Sequence, residues 1–351
     1  MSEATAVFTD ALARLVRREE LPPELAEAVL ATILRGEATD AQIAGFAVAL
    51  RAKGETPGEL AALVRTMVRF AEHVPVHAVE DVIDTCGTGG DRAGTVNVST
   101  MAALVAAGAG ARVAKHGNRA ASSQCGSADV LEELGVVIDL APVGVARCIE
   151  ETGIGFCFAP RFHPALRFAA GPRRELGVPT TFNFLGPLAN PAGVGRQSVG
   201  VSDPAMADRV VHALAELGKA HVLVFYGHDG LDELTTTGSS TVYELRGGEV
   251  HRWVVDPADL GLPRAELADL VGGDAAANAA IVHEVLGGAI GPARDIVVLN
   301  AAAALMVADL VDDLAVGVAL AQAVIDDGRA AATLERFVTV SRREREREQS
   351  A

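Results

Sequence analysis

Three short stretches gather residues able to do chemistry, and each stands directly after an apolar run. The first is Asp84-Thr85-Cys86-Gly87-Thr88-Gly89-Gly90-Asp91, followed by Asn97-Val98-Ser99-Thr100 and a helical pattern. Glycines there let backbone N–H groups converge on an anion. Ser99 and Thr100 then stand at a helix N-terminus, where unsatisfied N–H groups and the helix dipole favour phosphate. The loop is not a Walker sequence, because no Gly-Lys-Ser/Thr follows, and not G-x-G-x-x-G, because Arg92 takes the last position. On glycine spacing alone, an anion site and an ordinary strand-to-helix turn are equally good readings.

The second stretch is Lys115-His116-Gly117-Asn118-Arg119-Ala120-Ala121-Ser122-Ser123, continuing into Gly126-Ser127-Ala128-Asp129. Cations, an amide and several hydroxyls lie beside glycines at a strand end, where ligands bind in open α/β sheets. One such residue alone reads as surface or core; their concentration in one loop favours a site. The third, Asp229-Gly230-Leu231-Asp232-Glu233-Leu234, sets neighbouring carboxylates after a strand. That suits a hard cation such as Mg²⁺ held partly through substrate oxygens. Acids in a loop are usually only solvated, and the two phosphate-type loops are what raise the metal reading.

Composition narrows the partners. With 50% hydrophobic and 22% charged residues, the 351-residue chain can bury one large core or two, and is not a disordered one. Its 30 Lys and Arg stand against 46 Asp and Glu, a net charge of −16, and only 4% of residues are aromatic. This is the opposite of a nucleic-acid footprint, so no nucleic-acid partner is expected. Cys86, Cys125, Cys148 and Cys157 form no C-x-x-C pair and are expected as free thiols. Met1 to Glu20 lacks a signal-peptide core, and Ile296 to Val307 is too short to span a bilayer. No membrane partner and a cytoplasmic location are expected.

The elements that must position these loops follow from periodicity. Phe8 to about Val74 reads as four short helices punctuated by Pro22-Pro23, Thr39-Asp40 and Thr56-Pro57, with Thr56 to Glu59 a capped start. From Asp81 short apolar runs predict strands at Val82-Ile83, Ala111 to Val113, Val136 to Ile138, Gly155 to Phe158, Val199 to Val201 and Val222 to Phe225. Asp203-Pro204 reads as a helix start, and Thr241 to Val255 as a hairpin turning at Gly247-Gly248. The fold class is α/β. An all-helical domain over 1–75 takes a contribution from a proline- and arginine-rich crossover at about 161–190. A larger α/β domain over 76–340 has a mostly parallel central sheet, and 341–351 is a charged tail that reads as a solvated or frayed helix end.

Taken together, Gly87 to Asp91, Asn97 to Thr100, Lys115 to Arg119, Gly126 to Gly135, Phe182 to Pro191 and Asp232-Glu233-Leu234 resemble the anthranilate phosphoribosyltransferases. The likeness runs in order from the N-terminal helices to about Val340. It implies a nucleoside phosphorylase/phosphoribosyltransferase-like fold, a homodimer, and transfer of phosphoribose from 5-phosphoribosyl 1-diphosphate to anthranilate in tryptophan biosynthesis. Carried over by position, Gly87, Gly90, Asp91, Thr95, Asn97, Val98, Ser99, Thr100, Lys115, His116, Gly117, Asn118, Arg119, Ala120, Ala121, Ser122, Ser123 and Ser127 would surround the phosphoribosyl diphosphate. Ser99, Asp232 and Glu233 would hold Mg²⁺. Gly87, Asn118 and Arg173 would contact anthranilate, and Lys115, His116 and Arg173 would be catalytic.

Some positions depart from that family's pattern. Cys125 stands where Ser is commoner, Gly193 to Gln197 is an unusual stretch, and Pro172 precedes Arg173 where an aliphatic residue is usual. A Pro172 that re-aims Arg173 would alter the acceptor, so a paralogue acting on another aromatic acid is the first alternative. A pyrimidine nucleoside phosphorylase-like enzyme shares the Lys-His-Gly-Asn-Arg loop. A non-catalytic nucleic-acid-binding relative is opposed by the intact acids and the net charge.

Overall fold

Of the N-terminal helices, side-chain caps set the starts of two, and prolines set that of another. In the computed structural model, which describes residues 3–120 and 124–350, these are α1 (Glu3–Val16), α2 (Pro23–Leu34), α3 (Asp40–Lys53) and α4 (Pro57–Arg69). Thr39 with Gln42 and Thr56 with Glu59 form reciprocal capping boxes at α3 and α4. Glu59 does more than cap. Its buried carboxylate also accepts the Leu21 N–H at 2.8 Å and the Lys53 ammonium at 2.7 Å, joining three helix ends.

The remainder alternates. It runs β1 (Val82–Gly87), α5 (Val98–Gly108), β2 (Arg112–Gly117), α6 (Ser127–Glu133), α7 (Pro142–Thr152), β3 (Ile154–Phe158), α8 (Ala159–Phe162), α9 (Arg167–Leu176) and α10 (Phe182–Leu188). Then follow β4 (Arg196–Gly200), α11 (Pro204–Glu216), β5 (His221–Gly227), β6 (Ser240–Arg246), β7 (Glu249–Val255), α12 (Ala275–Leu286), α13 (Pro292–Val307), α14 (Leu314–Asp326) and α15 (Arg329–Ser350). The seven strands order as β3-β2-β1-β4-β5-β6-β7, parallel through β5 and antiparallel beyond. Asp203 caps α11 as expected, and β6 turns into β7 at Gly247 and Gly248, both at positive φ (60° and 84°).

Side chains alternate across the sheet and split the interior in two. On β5, Leu223 and Phe225 enter a core with α5 and α13, while Val222 and Val224 enter one shared with α2, α3, α4, α10 and α11. The crossover joins the helical side: α9 packs on α2 and α3, and α10 on α4. The Arg161 guanidinium pairs with Glu72 at 2.6 Å across the same seam.

Two expectations need correction. Val136 to Ile138 is not a strand; it is a buried loop before α7, whose Val137 N–H donates to Ser341 Oγ at 3.1 Å. A helix side chain thus takes the place of a neighbouring strand. The 341–351 tail is not a frayed end either. α15 runs to Ser350 and docks on α7, with Ser341 and Glu344 buried. Glu344 pairs with Arg147 at 2.8 Å, and Glu348 accepts the Ala141 N–H at 2.8 Å. Truncation after Val340 should therefore lower stability by about 2 kcal/mol or more, because buried polar partners are lost. Loss of 349–351 alone should leave the melting temperature nearly unchanged. Chemical denaturation of both truncations checks this, and equal stability would mean that the tail is merely solvated.

Candidate active site

The three chemistry-bearing loops leave from the carboxyl ends of β1, β2 and β5, and strand order reverses between β1 and β4. Such a reversal opens a crevice for ligands. Asp232 closes its floor. A Cβ on Gly200 would overlap the Asp232 carbonyl oxygen, and one on Gly87 would overlap its carboxylate, so contact demands glycine at both strand ends. The Gly89 N–H donates to Asp232 Oδ2 at 2.7 Å, and Ser202 Oγ donates to the Gly89 carbonyl at 2.8 Å. Gly89 and Gly90 have φ of 66° and 89°, and Gly89 has open space around its Cβ position. Substitution at Gly89 therefore strains the backbone without meeting protein atoms.

Acids crowd this floor. Burial raises the Asp232 carboxyl, and the nearby Asp91 charge raises it further. Burial, followed by the charge on Asp232, lifts Glu233 well above the ordinary carboxyl range. The nearby cation is Lys115, which is 2% exposed and donates to Thr85 O at 2.7 Å and Ser99 Oγ at 3.2 Å. Burial lowers its pKa, and Asp84 works the other way. Asp84 is itself fully buried and accepts the His116 N–H at 3.0 Å, and among the described residues its Oδ2 has no hydrogen-bond donor. Asp229, from the same loop as Asp232, is not part of the acid pair. It pins the loop by accepting the Leu231 N–H and the hydroxyls of Thr235 and Thr237.

Among the residues expected around the diphosphate, several are already engaged. The Asn97 carboxamide bonds to Cys125 O and to the Asn278 carboxamide. Val98 is a core side chain, the buried Thr100 hydroxyl has no partner among the described residues, and Thr95 bridges to Val271. Asp91 turns back to accept the Ala93 N–H at 3.2 Å. Arg119 is neutralised by Asp129 and Glu132 at 2.9 and 2.8 Å. Asp129 also accepts the N–H groups of Ala120 and Gly126, at 2.9 Å each, and so ties those two residues to the start of α6. A Cβ on Gly117 would collide with Ser127 Oγ and the Phe156 ring, and one on Gly126 with the backbone of Asn118 to Ala120; Ser127 Oγ donates to Asn118 O, and Asn118 is exposed. Ala121, Ser122 and Ser123 lie outside the described residues.

His116 stands against His163, ring centroids 5.1 Å apart, and Nε2 of each is buried without a partner among the described residues. Burial first, and the neighbouring His163 second, push His116 down to about 3; burial pushes His163 to about 4. Arg173 is the other free group. Among the described residues no carboxylate pairs with it; its guanidinium carbon lies 5.6 Å from the Phe182 ring centroid, and burial lowers its pKa. Arg174 beside it is exposed, and Pro172 is buried within α9.

Residues 9–71 match the glycosyl transferase family, helical bundle domain, and residues 79–331 match the glycosyl transferase family, a/b domain. Over 334 residues the chain is 52% identical to the anthranilate phosphoribosyltransferase of Roseiflexus castenholzii, covering 95% of this chain and 98% of that one. The chain belongs to the anthranilate phosphoribosyltransferase family. The crystal structure of the Thermus thermophilus member matches with a TM-score of 0.90 at 45% identity, over 95% of this chain and 99% of that one. The Saccharomyces cerevisiae member, solved in complex with PRPP and Mg, matches with a TM-score of 0.87 at 28% identity, over 97% and 98% of the two chains.

Sequence reasoning passed over Asp84, Asp129 and Ser202 as site-building residues. Asp84 and Asp129 lie inside the quoted motifs, and their signal was a lone acid at a strand or helix start. Ser202 carried none.

The buried imidazoles make acid stability testable. Their unfolded pKa is near 6.5, so the stability tied to their neutral form is complete above pH 6.5 and is lost as pH falls toward 4 and 3. Each contributes up to about 1.4 kcal/mol per pH unit in that window. Thermal melts from pH 7 to pH 4 should show a shallower decline for His116→Gln/His163→Gln than for the unmodified chain. Equal slopes would contradict the burial of neutral rings.

Proposed function

We propose that this chain transfers the phosphoribosyl group of 5-phosphoribosyl 1-diphosphate to the amine of anthranilate, releasing diphosphate. The observation that carries it is the under-compensated acid pair, Asp232 and Glu233, held against a glycine loop at the sheet's switch point. Membership of the family supports the same donor and acceptor. A cytoplasmic homodimer belongs to this reading.

The donor set suits Mg²⁺: hard oxygens of Asp232, Glu233 and Ser99, with the two carboxyls short of positive charge. Among the described residues no three or more His, Cys, Asp or Glu side chains make a closed cage, so diphosphate oxygens and water would complete the shell. When bound, the ion neutralises charge on the leaving diphosphate. In the reaction the bond from C1 to the diphosphate oxygen breaks, the bond from C1 to the amine nitrogen forms, and the amine gives up a proton. Positive charge grows on the sugar and negative charge on the leaving group, so the chain's task is electrostatic. The Thr88 and Gly89 N–H groups are taken by Gly200 O and Asp232 Oδ2, so among the described residues the N–H groups of Gly90 and Asp91 are the loop's donors for that charge, and Lys115 holds Ser99 and the loop floor in place. Burial and the nearby Lys115 charge both oppose a His116 cation, so the acceptor's own carboxylate takes the proton. Arg173, which has no acidic partner among the described residues, pairs with that carboxylate and orients the amine.

A fluorescence assay of anthranilate consumption with 5-phosphoribosyl 1-diphosphate and Mg²⁺ tests the reaction. Turnover of another aromatic acid in place of anthranilate would overturn the acceptor. Arg173→Ala should raise the KM for anthranilate about tenfold to a hundredfold and leave that for the diphosphate substrate nearly unchanged, since one charge-assisted hydrogen bond is lost. Arg174→Ala should alter neither, and equal effects of the two would remove Arg173 from the site. Asp232→Asn and Glu233→Gln should each raise the Mg²⁺ needed for half-maximal rate, because an amide carries no charge for the ion. An unchanged Mg²⁺ titration would refute the metal assignment.

A further inference from the structure

The Gly89 N–H orients the Asp232 carboxylate and Asp229 pins the flanks of the loop, but the peptide that follows Glu233 is held from elsewhere. Leu234, which follows Glu233, has both main-chain groups taken by one side chain. Asn300 Oδ1 accepts its N–H at 3.0 Å, and Asn300 Nδ2 donates to its carbonyl at 2.8 Å. The same Nδ2 donates to Ile296 O at 2.8 Å, locking the amide to its own helix. Asn300 is 3% exposed, and every residue from Ile296 to Val307 is buried. Asparagine is a poor helix former, and a buried amide without partners is costly. Its presence amid Ala, Val and Leu is accounted for by the peptide it grips.

The placement links that grip to the chemistry. α13 packs on α5, whose first turn carries Ser99, and Asn300 lines one small cleft with Thr85, Ser99 and Glu233. Asp229 holds the loop through Leu231, Thr235 and Thr237, on either side of the acids. Asn300 is the anchor between those points. We propose that Asn300 is a positioning residue for the transfer reaction, fixing the Leu234 peptide so that Asp232 and Glu233 face one divalent cation together with Ser99. This rests on the transferase reading of the site.

The test uses the full chain with Asn300→Leu, Asn300→Ser and, as a core control, Val298→Ala. Val298 is buried on the same helix, about 200° around the axis from Asn300. Three quantities are read: Mg²⁺ binding by calorimetry with inorganic diphosphate present, hydrogen exchange over residues 230–236, and the steady-state constants. Both Asn300 variants should weaken Mg²⁺ binding and raise its half-saturating concentration about tenfold, the effect of losing a buried hydrogen bond. Exchange over 230–236 should accelerate, while the KM for anthranilate stays within about twofold. Val298→Ala should change none of these. Wild-type Mg²⁺ binding in either Asn300 variant, or an equal shift in Val298→Ala, overturns the proposal. Should Asn300→Leu fail to fold, Asn300→Ser decides. Calorimetry and exchange do not involve the acceptor, so a chain that ignores anthranilate overturns the proposed reaction without touching this result.

Discussion

A buried ammonium beneath a crowd of carboxylates is the constraint on which the rest of the site depends. Lys115 is almost fully enclosed, yet Asp84 and Glu233 both lie within its field, and Asp232 adds its charge beside Glu233. Taking such a charge out of water is costly unless it is paired and hydrogen-bonded. Its bonds to Thr85 O and Ser99 Oγ meet that need, and they tie β2 to β1 and to the start of α5. One cation cannot balance all of the acids. Burial first, and the unbalanced negative charge second, raise the Asp232 and Glu233 carboxyls, which the proposed divalent cation carrying an anionic substrate would relieve.

The same logic of shared buried charge joins the domains. Glu55, at the end of α3, is buried and accepts the Thr181 hydroxyl at 2.6 Å from the crossover. Arg51 and Arg209 approach it at 3.2 and 3.7 Å, and Arg51 also pairs with Asp203, the cap of α11. Helical domain, crossover and α11 thus meet at one carboxylate. Breaking such a cluster leaves uncompensated buried charge, so these parts are coupled more tightly than their apolar contacts alone require.

Local chemistry was legible in the sequence by itself. Thr39, Thr56 and Asp203 cap because their bonds reach only two or three residues along the chain. Gly247-Gly248 turns because only glycine adopts both dihedrals without strain. The alternation of short apolar runs with helical patterns implied a covered parallel sheet, and the glycine, Lys-His and Asp-Glu loops marked its working edge. Tertiary structure decided what those residues touch. Arg119 and Asn97 were expected to face the substrate and are held by Asp129, Glu132 and Asn278. Val136 to Ile138 had a strand's composition and found a helix's serine in place of a neighbouring strand. The charged tail looked solvated because its partners on α7 lie about two hundred residues earlier. Asn300 gave no sign, since nothing near it in sequence calls for an amide; its partner is brought there by folding. Caps and turns are satisfied within one turn of backbone, whereas a buried charge or amide takes whatever partner the packed chain delivers.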